Sequence, residues 1–415
     1  MMIAGTLPLS GIRVLDFGHT VMGPTAGLIL ADLGAEVIRI EPVNGDPTRR
    51  LKGFGTGYFP FFNRNKKSVA LNLKDLRGIA IAKRLLTESD VLIENFGPGT
   101  MARLGLDYAQ ICDEFPRLIY LSLKGFLPGH YENRIALDEV VQMMSGLAYM
   151  TGPPGKPLRA GTSIVDIMGG TFGVVAVQAA LLERQTTGKG QLVKSALFES
   201  AMFLMGQHLA YAAQSDDPVP PMPARISAWA IYDQFATRDG AKVFLGITSD
   251  KHWQRFCDAF DRDDLAADET LANNNQRIDA RTRLLPILSD LIAGLDLAEI
   301  SKKAIAAELP FAHIAHPEAL LDDPHLNDGG YLLETAMPDG AKGRLPSLPI
   351  SLGGRISTLR SDPPDIGADT RPCLASLGFS PAEIDQLFAD GIIGLFDEKA
   401  GSIELSDLPQ KGSSS

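Results

Sequence analysis

Across the first two hundred residues, short β-branched and aliphatic runs alternate with helical runs, the pattern of a parallel sheet covered by helices on both faces. Arg13–Phe17, Val37–Glu41, Val91–Asn95, Leu118–Leu123 and Leu192–Leu197 read as strands. Thr25–Leu33, Asp75–Thr87 and a stretch near Leu137–Leu147 read as helices, and a long apolar helix is expected to run to Ala213. The expected class is therefore α/β, with a doubly wound, Rossmann-like large domain. Residues 1–215 supply its first part. Ser215–Pro223 then holds four prolines and two aspartates, which is linker chemistry. Beyond it, Tyr232–Ala236 and Lys242–Ile247 flank Arg238-Asp239-Gly240, a hairpin signal. Helical segments follow from Trp253 to about Leu309, where Pro310 ends the run. Residues 216–325 are thus expected to form the linker and a smaller α+β domain, residues 326–409 to return to the large domain, and 410–415 to be a disordered tail.

Charge and composition exclude several classes of function. A net charge of −11 argues against a nucleic-acid partner, since such binders carry a basic surface. No apolar run reaches membrane-spanning length on hydropathy, and the N-terminus lacks a signal-peptide layout, so no membrane partner is expected. Cys112, Cys257 and Cys373 are scattered without metal-ligand or disulfide spacing, which fits a reducing cytoplasm. No metal is expected, because the seven histidines are dispersed. Against the acidic whole, residues 39–77 carry nine Lys or Arg against three carboxylates, a local charge of +6. Such a window suits an anionic, phosphate-bearing ligand or a solvated basic face. Nicotinamide chemistry is not expected: the loop from Gly18 to Pro24 lacks GxGxxG spacing, and Pro24 removes a backbone donor.

Asp166 precedes Gly169 and Gly170 at the start of a helix whose apolar positions include Val174, Val177 and Leu181. Aspartate is a favoured helix cap, so capping is one reading. A carboxylate beside bare backbone, where another molecule can approach, is also placed to act as a nucleophile.

Several segments, in order along nearly the whole chain, resemble the family III CoA-transferases, the group that includes formyl-CoA transferase and carnitine CoA-transferase. They include Leu15–Gly18 with Gly23-Pro24, Leu30–Pro42, Gly45-Asp46, Asn65–Lys74, Asp90–Gly99, Arg103–Gly105, Gln142–Gly146, the Asp166 segment, Thr187–Gln191, Ser249–Trp253 and Asp323–His325. The resemblance implies that Asp166 is the nucleophile, attacking an acyl-CoA thioester so that CoA passes to a free carboxylic acid. It implies coenzyme A and acyl-CoA as substrates, with no tightly bound cofactor, and an interlocked homodimer. Arg39, Leu71, Lys74, Asn95, Phe96 and Arg103 match the family's CoA-binding positions, and His19 lies in the loop that faces the thioester. Gly169 and Gly170 would let substrate approach the helix backbone, and Leu137 and Asp138 line the substrate pocket. Asp138 is equally readable as a structural hydrogen-bond acceptor. Arg159, Arg134 and Arg225 are the cations available to a second carboxylate of a dicarboxylic acid. One family member shields its intermediates with a glycine-rich loop, but residues 220–229 hold no glycine run here.

The same superfamily contains 2-methylacyl-CoA racemases, which exchange an α-proton between an acid–base pair. Those enzymes carry His-Asp where this chain reads Leu137-Asp138, and leucine moves no protons. Intramolecular CoA transfer and a non-catalytic CoA-binding protein are the remaining alternatives; the latter is disfavoured by the intact Asp166.

Overall fold

The computed structural model describes residues 7–225, 228–338, 340–397 and 402–403; the tail expected over 410–415 lies outside them. The chain divides into two compact units, Met1–Pro223 with Gly329–Ser415, and Ala224–Asp328.

The larger unit is built on strands β1 (Arg13–Asp16), β2 (Glu36–Glu41), β3 (Lys66–Leu71), β4 (Val91–Glu94), β5 (Ile119–Lys124) and β6 (Leu192–Ala196). They form one sheet in the order β3-β2-β1-β4-β5-β6, all parallel, with the short strand Ile393–Gly394 added antiparallel to β3. This is the doubly wound order, and its chain reversal lies between β1 and β4. Alternation along the strands fills both faces. Leu15, Ile38, Val69, Leu71 and Leu92 enter one core with Ile81, Leu85 and Leu374. Val14, Val37, Ile93 and Leu121 enter the other, with Leu30, Val174 and Val177.

Strand β3 escaped the sequence reading, which saw only a basic window there. Its first residue, Lys66, is fully buried, and hydropathy counts lysine as surface. The ammonium lies 3.0 Å from Asp16 Oδ2 and also donates to the Pro24 carbonyl and Asn63 Oδ1. Burial drives its pKa down to about 8 against the pull of Asp16. The basic window is largely consumed in this way. Arg39 is buried and engaged by Asp46 and Asn63, Arg64 is paired with Asp32 at 2.7 Å, and Arg49 with Glu41 at 2.6 Å. Two of these acids, Asp16 and Asp32, precede residue 39, so a window count could not see them.

Helix α1 (Met22–Asp32) follows β1, α2 (Asp138–Met144) follows the loop beyond β5, and α3 (Ile164–Thr187) leads to β6. The long helix expected after β6 breaks at Met205 into Leu197–Leu204 and Gly206–Ala212. Contrary to the sequence reading, α3 is long and apolar enough to cross a membrane by length and composition. One face is nevertheless core: Val165, Gly169, Gly170, Gly173, Val174, Val177, Ala180 and Leu181 are buried, and Gly173 abuts Leu121 and Leu123 of β5.

Gly169 and Gly170 are buried where α3 crosses α1, which corrects their expected role of admitting substrate to the backbone. A Cβ on Gly169 would collide with the Met22 side chain; one on Gly170 would stand 2.7 Å from the Met22 carbonyl oxygen and 2.8 Å from Thr25 Cβ. Alanine is the better helix former by about 1 kcal/mol, yet the backbone clash dominates. Gly170→Ala is expected to lower stability by about 1–3 kcal/mol in urea denaturation. A gain in stability would contradict this close packing.

The smaller unit carries an antiparallel sheet of β7 (Ile231–Ala236), β8 (Lys242–Ile247) and β9 (Phe311–His313). The hairpin turns at Gly240, whose φ of 81° suits glycine. Helices Asp250–Ala259, Arg281–Ala293 and Leu297–Ala306 bury Trp253, Phe256, Leu284, Leu288 and Ile300 in a core shared with Ile231, Val243 and Leu245. This unit is α+β.

Candidate active site

In a doubly wound sheet, ligands bind beyond the carboxyl ends of the strands at the point of chain reversal. Here that point joins the loop after β1 to the loop after β4. Phe17 N–H donates to the Ile93 carbonyl at 2.8 Å. Asn95 then clamps His19: its Oδ1 accepts from His19 N–H at 2.8 Å and its Nδ2 donates to the His19 carbonyl at 2.9 Å. The His19 and Phe96 rings lie 5.4 Å apart. Burial holds the His19 imidazole below its usual pKa, which favours the neutral ring.

Two cavities open on either side of this pair. One of about 650 Å³ is lined by Leu71, Lys74, Leu104, Pro42 and Thr48. The other, about 220 Å³, is lined by Asp166, Asp138, Leu137, Asn95, Lys124 and Arg134. His19, Thr20 and Phe96 line both. The shared wall makes them neighbours, one broad and partly apolar, the other smaller and holding the carboxylates.

Asp166 stands in the first turn of α3, but its side chain is not the cap. The cap position, Ser163, makes no side-chain capping bond. Asp138 fills that role from the start of α2: its Oδ2 accepts from Val165 N–H at 2.9 Å and Asp166 N–H at 3.2 Å. Its Oδ1 accepts from Gln142 Nε2 at 2.5 Å, and Gln142 Oε1 accepts from Ala160 N–H at 2.8 Å. One carboxylate thus ties α2, the approach to α3 and the first turn of α3 together. Asp166 is left with a side chain that no donor among the described residues reaches. Burial, reinforced by the negative charge of Asp138, raises its carboxyl pKa to about 7. The positive end of α3 works against this. A carboxylate so poorly solvated is a stronger nucleophile than an ordinary one.

Residues expected at the site therefore separate. Asp166, Asp138, Leu137, His19, Asn95 and Phe96 meet in the smaller cavity, while Leu71 and Lys74 line the larger. Lys74 is exposed there. Arg39 is only 1% exposed and lines neither. Its expected phosphate contact gives way to a buried pair with Asp46, because a desolvated guanidinium needs that carboxylate. Arg103 is exposed, donates to Thr100 Oγ1 at 2.9 Å, and lines neither cavity. Arg159 is tied to Glu139 at 2.7 Å and also lies off both. Sequence reasoning passed over Lys124, at the carboxyl end of β5, which donates to Glu94 Oε2 at 2.6 Å and to the Phe96 carbonyl at 2.7 Å. Its strand-end position was the available signal.

Comparisons with known proteins place the chain in a family. Residues 9–370 match the description CoA-transferase family III. The chain is 31% identical over 400 residues to the succinyl-CoA:glutarate CoA-transferase of Mus musculus, covering 94% of this chain and 92% of that one. It is 33% identical over 332 residues to the succinyl-CoA–L-malate CoA-transferase alpha subunit of Chloroflexus aurantiacus, covering 77% of each. Among solved structures, a CAIB/BAIF family protein from Brucella suis superposes with a TM-score of 0.79 at 29% identity, covering 90% of this chain and all of that one. The chain belongs to CoA-transferase family III, and is an enzyme whose substrates are CoA thioesters.

Proposed function

We propose that the enzyme moves CoA from a dicarboxylic acyl-CoA, such as succinyl-CoA, to a free dicarboxylic acid through covalent intermediates on Asp166. The observation that carries this reading is the Asp166 carboxylate, unpaired and poorly solvated, in a cavity that adjoins a larger one across His19 and Phe96. The dicarboxylates come from the relatives, which are named for glutarate and malate.

In the proposed sequence an Asp166 oxygen attacks the thioester carbonyl carbon. The carbon–sulfur bond breaks, giving a mixed anhydride and CoA thiolate. The thiolate attacks the aspartyl carbonyl and expels the donor acid, leaving CoA as a thioester on Asp166. The acceptor carboxylate attacks that thioester, expelling CoA thiolate and forming a second mixed anhydride. The thiolate then attacks the acceptor acyl carbon, the anhydride C–O bond breaks, and Asp166 is released unchanged. The larger cavity would hold the pantetheine arm, with Lys74 at its rim available to a phosphate. Asn95 fixes the shared wall through its two bonds to His19. Shielding the anhydride from water falls to the small cavity itself. Racemisation would need a second proton carrier at Leu137, which is 66% exposed and has none.

Val175 and Leu182 of α3 and Phe203 and Leu209 of the following helices are exposed. We propose that a second copy covers this apolar face in an interlocked homodimer. Light scattering should give twice the chain mass.

The transfer is tested by incubating the protein with succinyl-CoA and isotopically labelled glutarate or malate, then reading products by mass spectrometry. Labelled acyl-CoA should appear while total thioester stays constant. Hydrolysis alone, or deuterium entering an α-carbon without CoA exchange, would contradict the proposal.

A further inference from the structure

We propose that Arg134 binds the distal carboxylate of the dicarboxylic acid, making it the residue that selects diacids over monoacids; this rests on the transfer reading above. A diacid whose near carboxylate reacts at Asp166 brings a second charge into the same cavity, and burying that charge unpaired is costly. The wall must therefore supply a cation with no other partner.

Arg134 meets that requirement. Lys124 is already committed to Glu94 and the Phe96 carbonyl. His19 is held toward its neutral form by burial. Arg159 is paired with Glu139 off the cavity. Among the described residues lining the cavity, Arg134 is the cation without a carboxylate partner. Glu132 on the same wall does not cancel it, being turned to Lys194 at 3.8 Å.

Arg134 is exposed, but the segment that carries it is ordered. The segment around it turns tightly, with Glu132 N–H donating to the Gly129 carbonyl at 3.2 Å and Arg134 N–H to the Tyr131 carbonyl at 2.8 Å. The guanidinium carbon lies 5.6 Å from the Tyr131 ring centroid, and that ring packs against Phe126 and Phe198. The ring contact biases the guanidinium without spending its donors, so its fork remains available to a carboxylate. At about 220 Å³ the cavity suits a short acid rather than a long acyl tail.

The test compares the parent with Arg134→Gln and Arg134→Lys, using succinyl-CoA as donor and glutarate or pentanoate as acceptor. The reading is the ratio of kcat/KM for glutarate to that for pentanoate. Taken on one preparation, it is independent of the folded fraction. Loss of a charge-assisted pair should lower the ratio about tenfold or more in Arg134→Gln. Arg134→Lys should recover part of it, since charge persists without the bidentate fork. A ratio unchanged in both variants, with CoA transfer intact, overturns the role of Arg134 and leaves the transfer reading standing. Absence of CoA transfer to either acid by the parent protein overturns both.

Discussion

Asp166→Asn is expected to abolish CoA transfer and to yield a protein more thermostable than its parent at pH 8. The expected loss is about 10⁴-fold or more, the scale seen when a covalent nucleophile is removed. Asp166→Ala should behave alike, which guards against slow conversion of the amide back to the acid. The gain in stability follows from the raised pKa. The fold favours the neutral acid, so the carboxyl's favourable contribution is fully present below the unfolded value near 3.8 and is lost as pH rises to about 7. Removing the charge therefore gains nothing at pH 4 and most above pH 7, where melting should rise by a few degrees. The parent's activity should show the opposite face of the same titration: kcat/KM rising about tenfold per pH unit up to about 7, then levelling. An activity that is flat from pH 5 to 8 would contradict an ionised Asp166 as the attacking group.

Asp138→Asn should move that acidic limb to lower pH, and Asp138→Ala should also cost stability. Asp138 raises the Asp166 pKa through its charge while capping α3 through Oδ2. Asparagine keeps one oxygen for the helix N–H groups and removes the charge, so Asp166 ionises more readily. Its amide nitrogen would face Gln142 Nε2, and a flip of the Gln142 amide to accept from it would forfeit the bond from Ala160 N–H. Some loss of kcat is therefore expected as well. Alanine leaves Val165 and Asp166 N–H without an acceptor, at about 1–2 kcal/mol for a lost cap. The misplaced first turn should lower kcat by about 10²-fold. An unmoved limb in Asp138→Asn, with kcat intact, would make Asp138 a spectator.

The fold was legible where side-chain pattern and strand burial agree. Leu15, Val37 and Ile93 sit in strands that read as strands, and Gly240 marks the hairpin it was expected to mark. Legibility failed where a charge is buried. Lys66 hid β3, because its partner Asp16 lies fifty residues earlier and only the folded sheet brings them together. For the same reason the basic window read as a phosphate site or a solvated basic face, although Arg39 and Arg64 are internal. Gly169 and Gly170 were correctly singled out as needing bare backbone, but the neighbour that requires it is α1. Asp166 was identifiable as a carboxylate at a helix start. That Asp138 performs the capping and thereby leaves Asp166 unpaired is a relation between the starts of two helices, which no local spacing encodes.

The central claim is that Asp166 becomes acylated. Mixing the protein with succinyl-CoA alone, quenching in hydroxylamine and mapping peptides by mass spectrometry tests it most directly. The account predicts a hydroxamate on Asp166, dependent on the thioester and absent when free CoA replaces it. An unmodified Asp166 peptide, recovered under conditions where CoA transfer proceeds, would contradict it.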